Sequence, residues 1–175
     1  MKNIYQLRYE FEQIGSAMKS KWQRGTKGYS TVDTWSVYNW FEEIIPRILT
    51  DYKNNLHGCP AQFTVREDGT EFQNVEEGME AWKAILERMI FCFTEMNEDQ
   101  CSMKNEYAEA YHNLFEHEKF WENNQPNKPF EFYKNKNPEL EQNYHKREKE
   151  IDNYRNKMKD EGFDLFKKYF WNLWD

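Results

Sequence analysis

The chain of 175 residues has no apolar run long enough to form a membrane-spanning helix. It has only three cysteines, Cys59, Cys92 and Cys101, and none of them forms a C-x-x-C pair. This odd, scattered set indicates neither a disulfide framework nor a zinc site. The polar, periodic N-terminus is unlike a signal peptide. We therefore expect a cytoplasmic protein with reduced cysteines and no membrane segment.

Complete catalytic and cofactor motifs are also missing. No Walker, dinucleotide-binding, H-E-x-x-H or EF-hand pattern occurs. His57 and Cys59 flank a glycine turn, where neighbouring side chains usually diverge, so they do not indicate a nucleophile and its base. Glu109, His112 and Glu116 share one helix face by spacing, but a di-iron bundle needs this motif twice and two further carboxylates. We expect no enzymatic activity, no catalytic residue, no metal site and no cofactor.

The charge balance limits the partners. The chain has 24 basic and 31 acidic side chains, a net charge of −7. This argues against a protein that binds nucleic-acid duplexes, whose affinity depends on neutralising phosphates. Residues 57–137 carry 16 acidic and 8 basic side chains, whereas residues 1–56 carry 6 acidic and 8 basic ones. An anion site is therefore expected in the N-terminal third.

Apolar side chains recur at three- and four-residue steps, which predicts an all-α, single-domain bundle of five or six helices over residues 1–175. The predicted helices run from Ile4 to Arg24 with a stop at Gly25, from about Thr31 to Asn55 with a kink or break at Pro46, from Val75 to Met96, from Ser102 to Asn123, and from Pro138 nearly to the end. Aromatic residues make up 18% of the chain. They are expected to fill the core and to provide part of a binding surface.

The remaining segments are less regular. Residues 61–73 combine alternating apolar residues with a turn-like sequence, which allows a short β-hairpin. The variable region 97–138 ends in a connector, since residues 123–138 hold three prolines and five asparagines. The last helix is charged in its first half and aromatic in its second, which predicts a solvated half and a core-docked half. Residues 1–24 and 160–174 both carry aromatic stripes, and we expect them to pack together.

Residues 24–35 carry most of the functional information. They read Arg24-Gly25-Thr26-Lys27-Gly28-Tyr29-Ser30-Thr31-Val32-Asp33-Thr34-Trp35. Ser30 and Asp33 have the spacing of a helix N-cap and an acid at N3, a variant of the capping box. A helix that starts here would point its positive end at Arg24 and Lys27 and attract anions.

Residues 24–35, called the corner below, are predicted to bind a nucleotide or another anionic small molecule. The candidate ligand-binding residues are Arg24, Lys27, Tyr29, Ser30, Asp33, Trp35, Trp40 and His57. Backbone N–H groups, two cations and nearby aromatic rings are what a phosphate-bearing ligand requires. A structural alternative stays open, in which the helix start is capped and Asp33 pairs with Arg24 only to stabilise the fold.

Four motifs occur in order along the chain. They are Arg24-Gly25 with Tyr29-Ser30, Asp33 and Trp35; His57-Gly58-Cys59-Pro60; Trp82 with Ile85-Leu86; and Glu161-Gly162-Phe163-Asp164-Leu165-Phe166 with Tyr169-Phe170 and Leu173-Trp174. Together they resemble a widespread family of uncharacterised proteins from tailed bacteriophages. The chain differs from the family pattern near Thr31, where a second acid is frequent, and at Cys59, where an aromatic or aliphatic residue is common. A role that needs two carboxylates at this helix start is therefore not expected.

The resemblance implies a phage-type, cytoplasmic, helical protein and supplies no catalytic residues. A small phage protein without catalytic motifs is expected to act by stoichiometric binding. We interpret it as an antagonist of host antiviral immunity that sequesters a nucleotide-like signal or binds a host effector protein. Two alternatives stay open, a structural or assembly protein of the phage particle and a nucleotide hydrolase. A homo-oligomer also stays open.

Overall fold

The structure is all-α. The computed structural model describes residues 4–64, 70, 75–116 and 137–174, with residues 4–13, 75 and 114–116 described without their side chains. These residues form five α-helices and no strand: α1 (Ile4–Lys27), α2 (Val37–Asn54), α3 (Val75–Glu95), α4 (Ala108–Glu116) and α5 (Pro138–Tyr169). Three short 3₁₀ helices cover Asp33–Trp35, Ala61–Phe63 and Phe170–Asn172. The predicted all-α fold is confirmed.

One face of α3 is the centre of the core. α2 packs on one side of α3 and α5 on the other. α2 and α5 meet through their side chains, as in the ring of Phe41, which stacks on that of Phe163 at a centroid distance of 5.2 Å. Together they bury the α3 residues Trp82, Leu86, Met89, Cys92 and Phe93 completely. Burial of such large apolar side chains is the dominant stabilising contribution to a core of this kind.

The directions of the helices follow from contacts at their ends. Near the start of α2, Phe41 meets Phe163, which lies well along α5. Near the end of α2, the Tyr52 hydroxyl donates to the carbonyl oxygens of Asn172 and Trp174. α2 and α5 therefore run parallel. α3 runs antiparallel to both, since Phe93 near its end meets Phe41 near the start of α2, and Trp82 in its first half meets Tyr169 at the end of α5.

Two glycines allow backbones to approach closely. A Cβ atom at Gly162 of α5 would lie 3.1 Å from the Cβ of Cys92 and 3.1 Å from the ring of Phe93, so α5 lies directly against α3. A Cβ atom at Gly78 of α3 would overlap with the carbonyl oxygen of Phe63. The 3₁₀ helix Ala61–Phe63 therefore rests on the start of α3, and a larger residue at position 78 would displace it.

The first half of α5 is covered on one side by α4. The rings of Tyr111 and Tyr144 stack with centroids 4.0 Å apart. Asn105, just before α4, donates to the Tyr144 carbonyl and to Glu148. The prediction that the first half of this helix is solvated is therefore wrong on the face that α4 covers. α5 begins where the Asn137 side chain accepts a hydrogen bond from the Leu140 N–H.

The first helix ends later than predicted and the second begins later. α1 continues through Gly25 to Lys27, because Gly28 is the residue with a left-handed backbone, at φ +80°, and its N–H bonds to the Arg24 carbonyl. The helix predicted from about Thr31 is a turn followed by the 3₁₀ helix Asp33–Trp35, and α2 begins only at Val37.

Pro46 does not break the second helix. α2 runs through it from Val37 to Asn54, although a proline cannot donate the usual backbone hydrogen bond. Pro46 and Leu49 are both buried, and Ile45 packs on the core beside them. Packing of this face on α3 therefore outweighs the loss of one hydrogen bond.

The fourth helix starts at Ala108, not at Ser102 as predicted. The turn before it is held by side chains that bond to backbone N–H groups, which compete with helix formation. Glu95 accepts from the N–H and the hydroxyl of Ser102, and Asn97 accepts from the N–H groups of Asp99 and Gln100. Residues 117–136, which include most of the predicted connector, lie outside the described residues.

The predicted β-hairpin is not formed where the structure describes it. Residues Ala61–Phe63 form a 3₁₀ helix in which the Phe63 N–H bonds to the Pro60 carbonyl. Pro60 fixes its own φ, which is compatible with the start of such a turn. Residues 65–69 and 71–73 of the predicted hairpin lie outside the described residues.

Over residues 14–27, α1 leaves its apolar side chains in solvent. Ile14, Met18 and Trp22 are 56%, 67% and 68% exposed, and between residues 14 and 27 only Ser20 and Gln23 are half-buried. The predicted packing of residues 1–24 on 160–174 is therefore wrong over residues 14–24. From the C-terminal segment, Tyr169 is buried in the core around α3 and Phe166 packs against it, whereas Trp171 and Trp174 are exposed. In the described part of the chain, no helix is long and apolar enough to cross a membrane.

The close approach at Gly78 gives a first prediction. Gly78→Ala should lower the free energy of unfolding by about 1–3 kcal/mol, as overpacking does, measured by urea denaturation. Gly25→Ala is the matched control, because a Cβ there has no atom within 4 Å, and it should not lower stability. Equal stability of Gly78→Ala and the wild type would contradict the contact between α3 and the 3₁₀ helix.

Candidate functional site

The predicted corner is built around one ion pair. Arg24, in the last turn of α1, donates from Nε to Asp33 Oδ2 at 3.0 Å and from Nη2 to Asp33 Oδ1 at 2.5 Å. The Ser30 N–H donates to Asp33 Oδ2 at 2.6 Å. Only 7% of the Asp33 side chain is exposed. Three donors therefore occupy this carboxylate, and it is shielded from a ligand.

The reciprocal bonds of the predicted capping box are present, but they close the turn before the 3₁₀ helix Asp33–Trp35, whose N-cap residue is Val32 and has no side-chain cap. While the Ser30 N–H donates to the Asp33 carboxylate, the Asp33 N–H donates back to Ser30 Oγ at 3.4 Å and to the Ser30 carbonyl at 3.1 Å. Gln23 of α1 accepts from the N–H and the hydroxyl of Thr31. These bonds join the end of α1 to the turn as one unit, with Ser30 fully buried.

The electrostatics of the corner differ from those of a helix N-terminus. The negative, C-terminal end of α1 lies here, and cations such as Arg24 and Lys27 are favourable in such a last turn. The Arg24 guanidinium, with the Ser30 N–H, holds the pKa of the Asp33 carboxyl well below its usual range. The bond to Asp33 in turn raises the pKa of Arg24. The structural alternative thus accounts for Arg24, Ser30 and Asp33.

The other candidate residues are placed as follows. Lys27 is the last residue of α1, and Tyr29 and Trp35 lie in the segment that follows it. All three are exposed, Trp35 to 89%. Trp40 is half-buried in the first turn of α2. His57 lies beyond the far end of α2, whose 18 residues span about 27 Å. The structure therefore brings seven of the eight candidates to one end of α2 and separates His57 from them.

A cleft beside this end of α2 is a second candidate site. It has a volume of about 630 Å³, within the usual range for ligand sites. Its lining comes from α2, the loop after α3 and the middle of α5: Tyr38, Asn39, Glu42, Glu43, Arg47, Asn97, Glu98, Asp99, Gln100 and Arg155. Because these segments are far apart in the sequence, no local motif indicates the cleft. The acidic surplus of residues 57–137 includes Glu98 and Asp99 but not Glu42 and Glu43, so it is only a partial signal.

The cleft favours cationic or polar ligands. Four carboxylates line it, against two guanidinium groups. Burial raises the pKa of Glu42, and nearby Arg155 opposes that shift. Arg155 is anchored by its Nε, which donates to the Met96 carbonyl at 2.9 Å, and its Nη1 lies 3.7 Å from a carboxylate oxygen of Glu98. A phosphate would meet more negative than positive charge here.

The described residues show no constellation for metal or covalent chemistry. Among them, no three His, Cys, Asp or Glu side chains come together in a way that could hold a metal ion. Glu109 and His112 of α4 are exposed, and the side chain of Glu116 lies outside the description. Cys92 is fully buried, and this burial raises the pKa of its thiol, which makes the thiolate less accessible.

No protein-family model, curated protein or solved structure matched the chain. The relationship to the phage family therefore stays a prediction from its motifs. Function is inferred below from the geometry of the corner and the cleft.

The Arg24–Asp33 pair gives a prediction about acid stability. The Asp33 pKa is lowered in the folded protein, so its stabilising contribution is present above the unfolded pKa of about 3.9 and is lost as the pH falls toward the folded pKa. The free energy of unfolding of the wild type should therefore fall more steeply between about pH 5 and pH 2 than that of Asp33→Asn. Chemical denaturation at a series of pH values measures this.

The exposed Asp51 provides the control. Asp51→Asn should follow the pH dependence of the wild type. If the curve for Asp33→Asn runs parallel to that of the wild type, the ion pair does not contribute to folding in solution.

Proposed function

We propose that the protein is a non-enzymatic binding protein of phage type that captures a host protein. The contact surface would be the exposed aromatic loop and the acidic cleft beside it. The observation that carries this proposal is Trp35, which is 89% exposed on a loop that the Arg24–Asp33 pair and the bonds around it hold in place. Tryptophans presented in this way are typical anchors of protein interfaces.

Trp35 is one of several exposed apolar side chains on this loop and on the first turn of α2. Tyr29, Val32 and Tyr38 are exposed within ten residues of the chain. Single exposed apolar residues are normal on a protein surface, but a group of them supports an interaction site. Because the loop is already ordered by its internal hydrogen bonds, it would lose little conformational entropy on binding.

The cleft adds a charge preference. Tyr38 lies on its wall, so the aromatic loop and the cleft are continuous. Glu42, Glu43, Glu98 and Asp99 exceed the two arginines of the lining. We infer that the partner presents an apolar or aromatic side chain to Trp35 and a lysine- or arginine-bearing segment to the cleft. Such complementarity mainly accelerates association and selects the partner.

A protein partner is favoured over a nucleotide for three reasons. Arg24 uses its Nε and Nη2 for Asp33, so a phosphate would compete with an existing ion pair. The corner lies at the C-terminal end of α1, where the helix dipole disfavours anions. The adjacent cleft is acidic. The half-exposed Arg24 and the exposed Lys27 are the features that would serve a nucleotide.

The biological setting of the proposal comes from the resemblance to phage proteins. We propose that the protein acts in the cytoplasm of the host cell and that its partner is an effector of antiviral immunity. A role in the phage particle would predict abundant, stoichiometric copies in purified virions. Quantitative mass spectrometry of virions would detect them, and their presence would contradict the capture of a host protein.

The proposal predicts that Trp35 dominates binding. Tagged full-length protein from infected cells should retain a host protein in 1:1 stoichiometry by native mass spectrometry. Trp35→Ala should weaken that complex by at least about 2 kcal/mol, or roughly thirty-fold, in calorimetry with the purified partner. Trp171→Ala is the matched control, because Trp171 is 85% exposed on the 3₁₀ helix Phe170–Asn172, and it should change affinity less than Trp35→Ala does.

The cleft is tested on the same complex. Glu98→Gln combined with Asp99→Asn should slow association and reduce its dependence on salt, since it removes two carboxylates from the lining.

Equal binding by the wild type and Trp35→Ala would exclude the aromatic loop as the contact surface.

A nucleotide panel tests the competing interpretation. If Arg24 and Lys27 hold a phosphate-bearing ligand, each charge-assisted contact is worth roughly 1.5–3 kcal/mol. Arg24→Ala with Lys27→Ala should then weaken binding by two or more orders of magnitude in calorimetry with linear and cyclic nucleotides. We expect no binding by the wild type. Binding that the double variant abolishes would replace the protein partner by a nucleotide, and turnover of the nucleotide would indicate a hydrolase.

A further inference from the structure

α1 carries an apolar stripe that the rest of the described structure leaves in solvent. Ile14, Met18 and Trp22 are more than half exposed and follow one another at four-residue steps, so they lie on one face of the helix. Gln23, which joins α1 to the corner by accepting from Thr31, lies on the other side of the helix by the same spacing. The stripe is therefore turned away from the side on which α1 is bonded to the corner.

Basic side chains border this stripe. Residues 14–27 carry four of them, Lys19, Lys21, Arg24 and Lys27, and no acidic side chain. By helical spacing, Lys21 lies at one edge of the stripe and Lys19 beyond the other, and both are exposed. An exposed helix with an apolar face between cations is typical of segments that lie on a membrane surface.

We propose that α1 binds the surface of an anionic phospholipid bilayer, with the stripe among the acyl chains and Lys19 and Lys21 at the phosphates. Lysine side chains are long enough to keep their ammonium groups among the headgroups while their apolar neighbours sink below them. Trp22 suits the boundary between headgroups and acyl chains, because its indole has an apolar ring and a polar N–H. This inference goes beyond the capture of a host protein proposed above.

The length of α1 fits this arrangement. The helix has 24 residues, and helices that lie on bilayers are often of this size. In the sequence, the spacing of the stripe continues toward the start of α1 through Ile4, Leu7 and Phe11. The same apolar periodicity therefore extends over most of the helix.

The distribution of charge along the chain favours one orientation. Residues 1–27 carry 6 basic and 2 acidic side chains, whereas residues 28–175 carry 18 basic and 29 acidic ones. An anionic surface therefore attracts the segment that contains α1 and repels the remainder of the chain. In the bound state, the acidic part of the protein would face away from the lipid.

A bilayer is favoured over a second copy of the chain as the cover of the stripe. If two α1 stripes packed on each other, the lysines that border them would be brought together, and like charges at such distances repel. Lipid phosphates instead neutralise Lys19 and Lys21. A fluid acyl region also accepts the branched, linear and aromatic side chains of the stripe without the shape complementarity that a protein surface requires.

Vesicle binding of the purified full-length protein tests the proposal. Flotation is measured with vesicles of phosphatidylglycerol and phosphatidylethanolamine, and with vesicles of phosphatidylcholine alone. We expect binding to the anionic vesicles, at least about tenfold weaker binding to the neutral ones, and a loss of affinity as salt is raised. Absence of binding to the anionic vesicles at low salt would overturn the proposal.

The stripe is tested by Trp22→Ala, which should weaken binding to the anionic vesicles at least about tenfold. Trp171→Ala is the matched control, because Trp171 is also exposed but lies on the 3₁₀ helix Phe170–Asn172, and it should leave vesicle binding unchanged. Far-UV circular dichroism of Trp22→Ala should match the wild type, because Trp22 is 68% exposed. Equal vesicle binding by Trp22→Ala and the wild type would contradict insertion of the stripe.

The cations are tested by Lys19→Gln combined with Lys21→Gln, which should weaken binding at least about tenfold and reduce its dependence on salt. Lys146→Gln combined with Lys149→Gln removes the same charge from exposed positions of α5 and should weaken binding less. Equal losses in the two double variants would mean that only net charge matters, and the assignment of the contact to α1 would fall.

Hydrogen exchange followed by mass spectrometry locates the contact. We expect the anionic vesicles to slow exchange in α1 and to leave α3 unchanged, and slowing confined to other helices would overturn the proposal. Sedimentation without lipid tests the second copy: a dimer that Trp22→Ala separates would assign the stripe to self-association. A host protein retained by the wild type but not by Trp22→Ala, without vesicle binding, would assign it to a protein partner.

The vesicle experiments use the chain and lipid alone. Their failure would leave the proposed role of Trp35 untouched, and failure of Trp35→Ala to weaken capture of a host protein would leave the lipid contact untouched.

Discussion

Burial of one face of α3 is the constraint on which the rest of the structure depends. Trp82, Leu86, Met89 and Phe93 can be removed from water only if helices cover α3 from both sides. The glycine at position 162 lets α5 come close enough to do so. At the edge of this contact, Arg88 Nε and Nη2 donate to the two carboxylate oxygens of Glu161, each at 2.6 Å. Over this face of α3, α2 and α5 meet each other through side chains such as the stacked rings of Phe41 and Phe163.

In the corner, one additional contact, that of Arg24 with the Asp33 carboxylate, changes the functional interpretation of the motif. Arg24 and Lys27 beside a presumed helix start suggest an anion site, whereas Arg24 bound to the Asp33 carboxylate joins the end of α1 to the turn that follows it. The carboxylate of Asp33 decides between them, because it binds Arg24 and the Ser30 N–H together. The cations then stabilise the end of α1, and the aromatic side chains of the loop become its accessible feature.

Local periodicity predicted most of the helices, and contacts between distant segments explain what it missed. The start of α3 at Val75 and of α5 at Pro138 agree with the predicted starts, because apolar repeats and an N-cap mark them. The sequence could not decide between Gly25 and Gly28 as the end of α1, since either glycine tolerates a left-handed backbone. The cleft and the exposure of α1 depend on which elements meet in space, and a stripe of apolar residues shows only that a face can be covered.

The order of the helices along the chain has a consequence for synthesis. α2 and α3 lie close together in sequence, but α5 begins at Pro138, long after α3 ends at Glu95. On the ribosome, the apolar face of α3 would therefore emerge with only half of its cover, and Trp82 and Phe93 would face water or a chaperone until α5 is translated. A product truncated before α5 would lack a closed core, which makes it a substrate for aggregation and proteolysis.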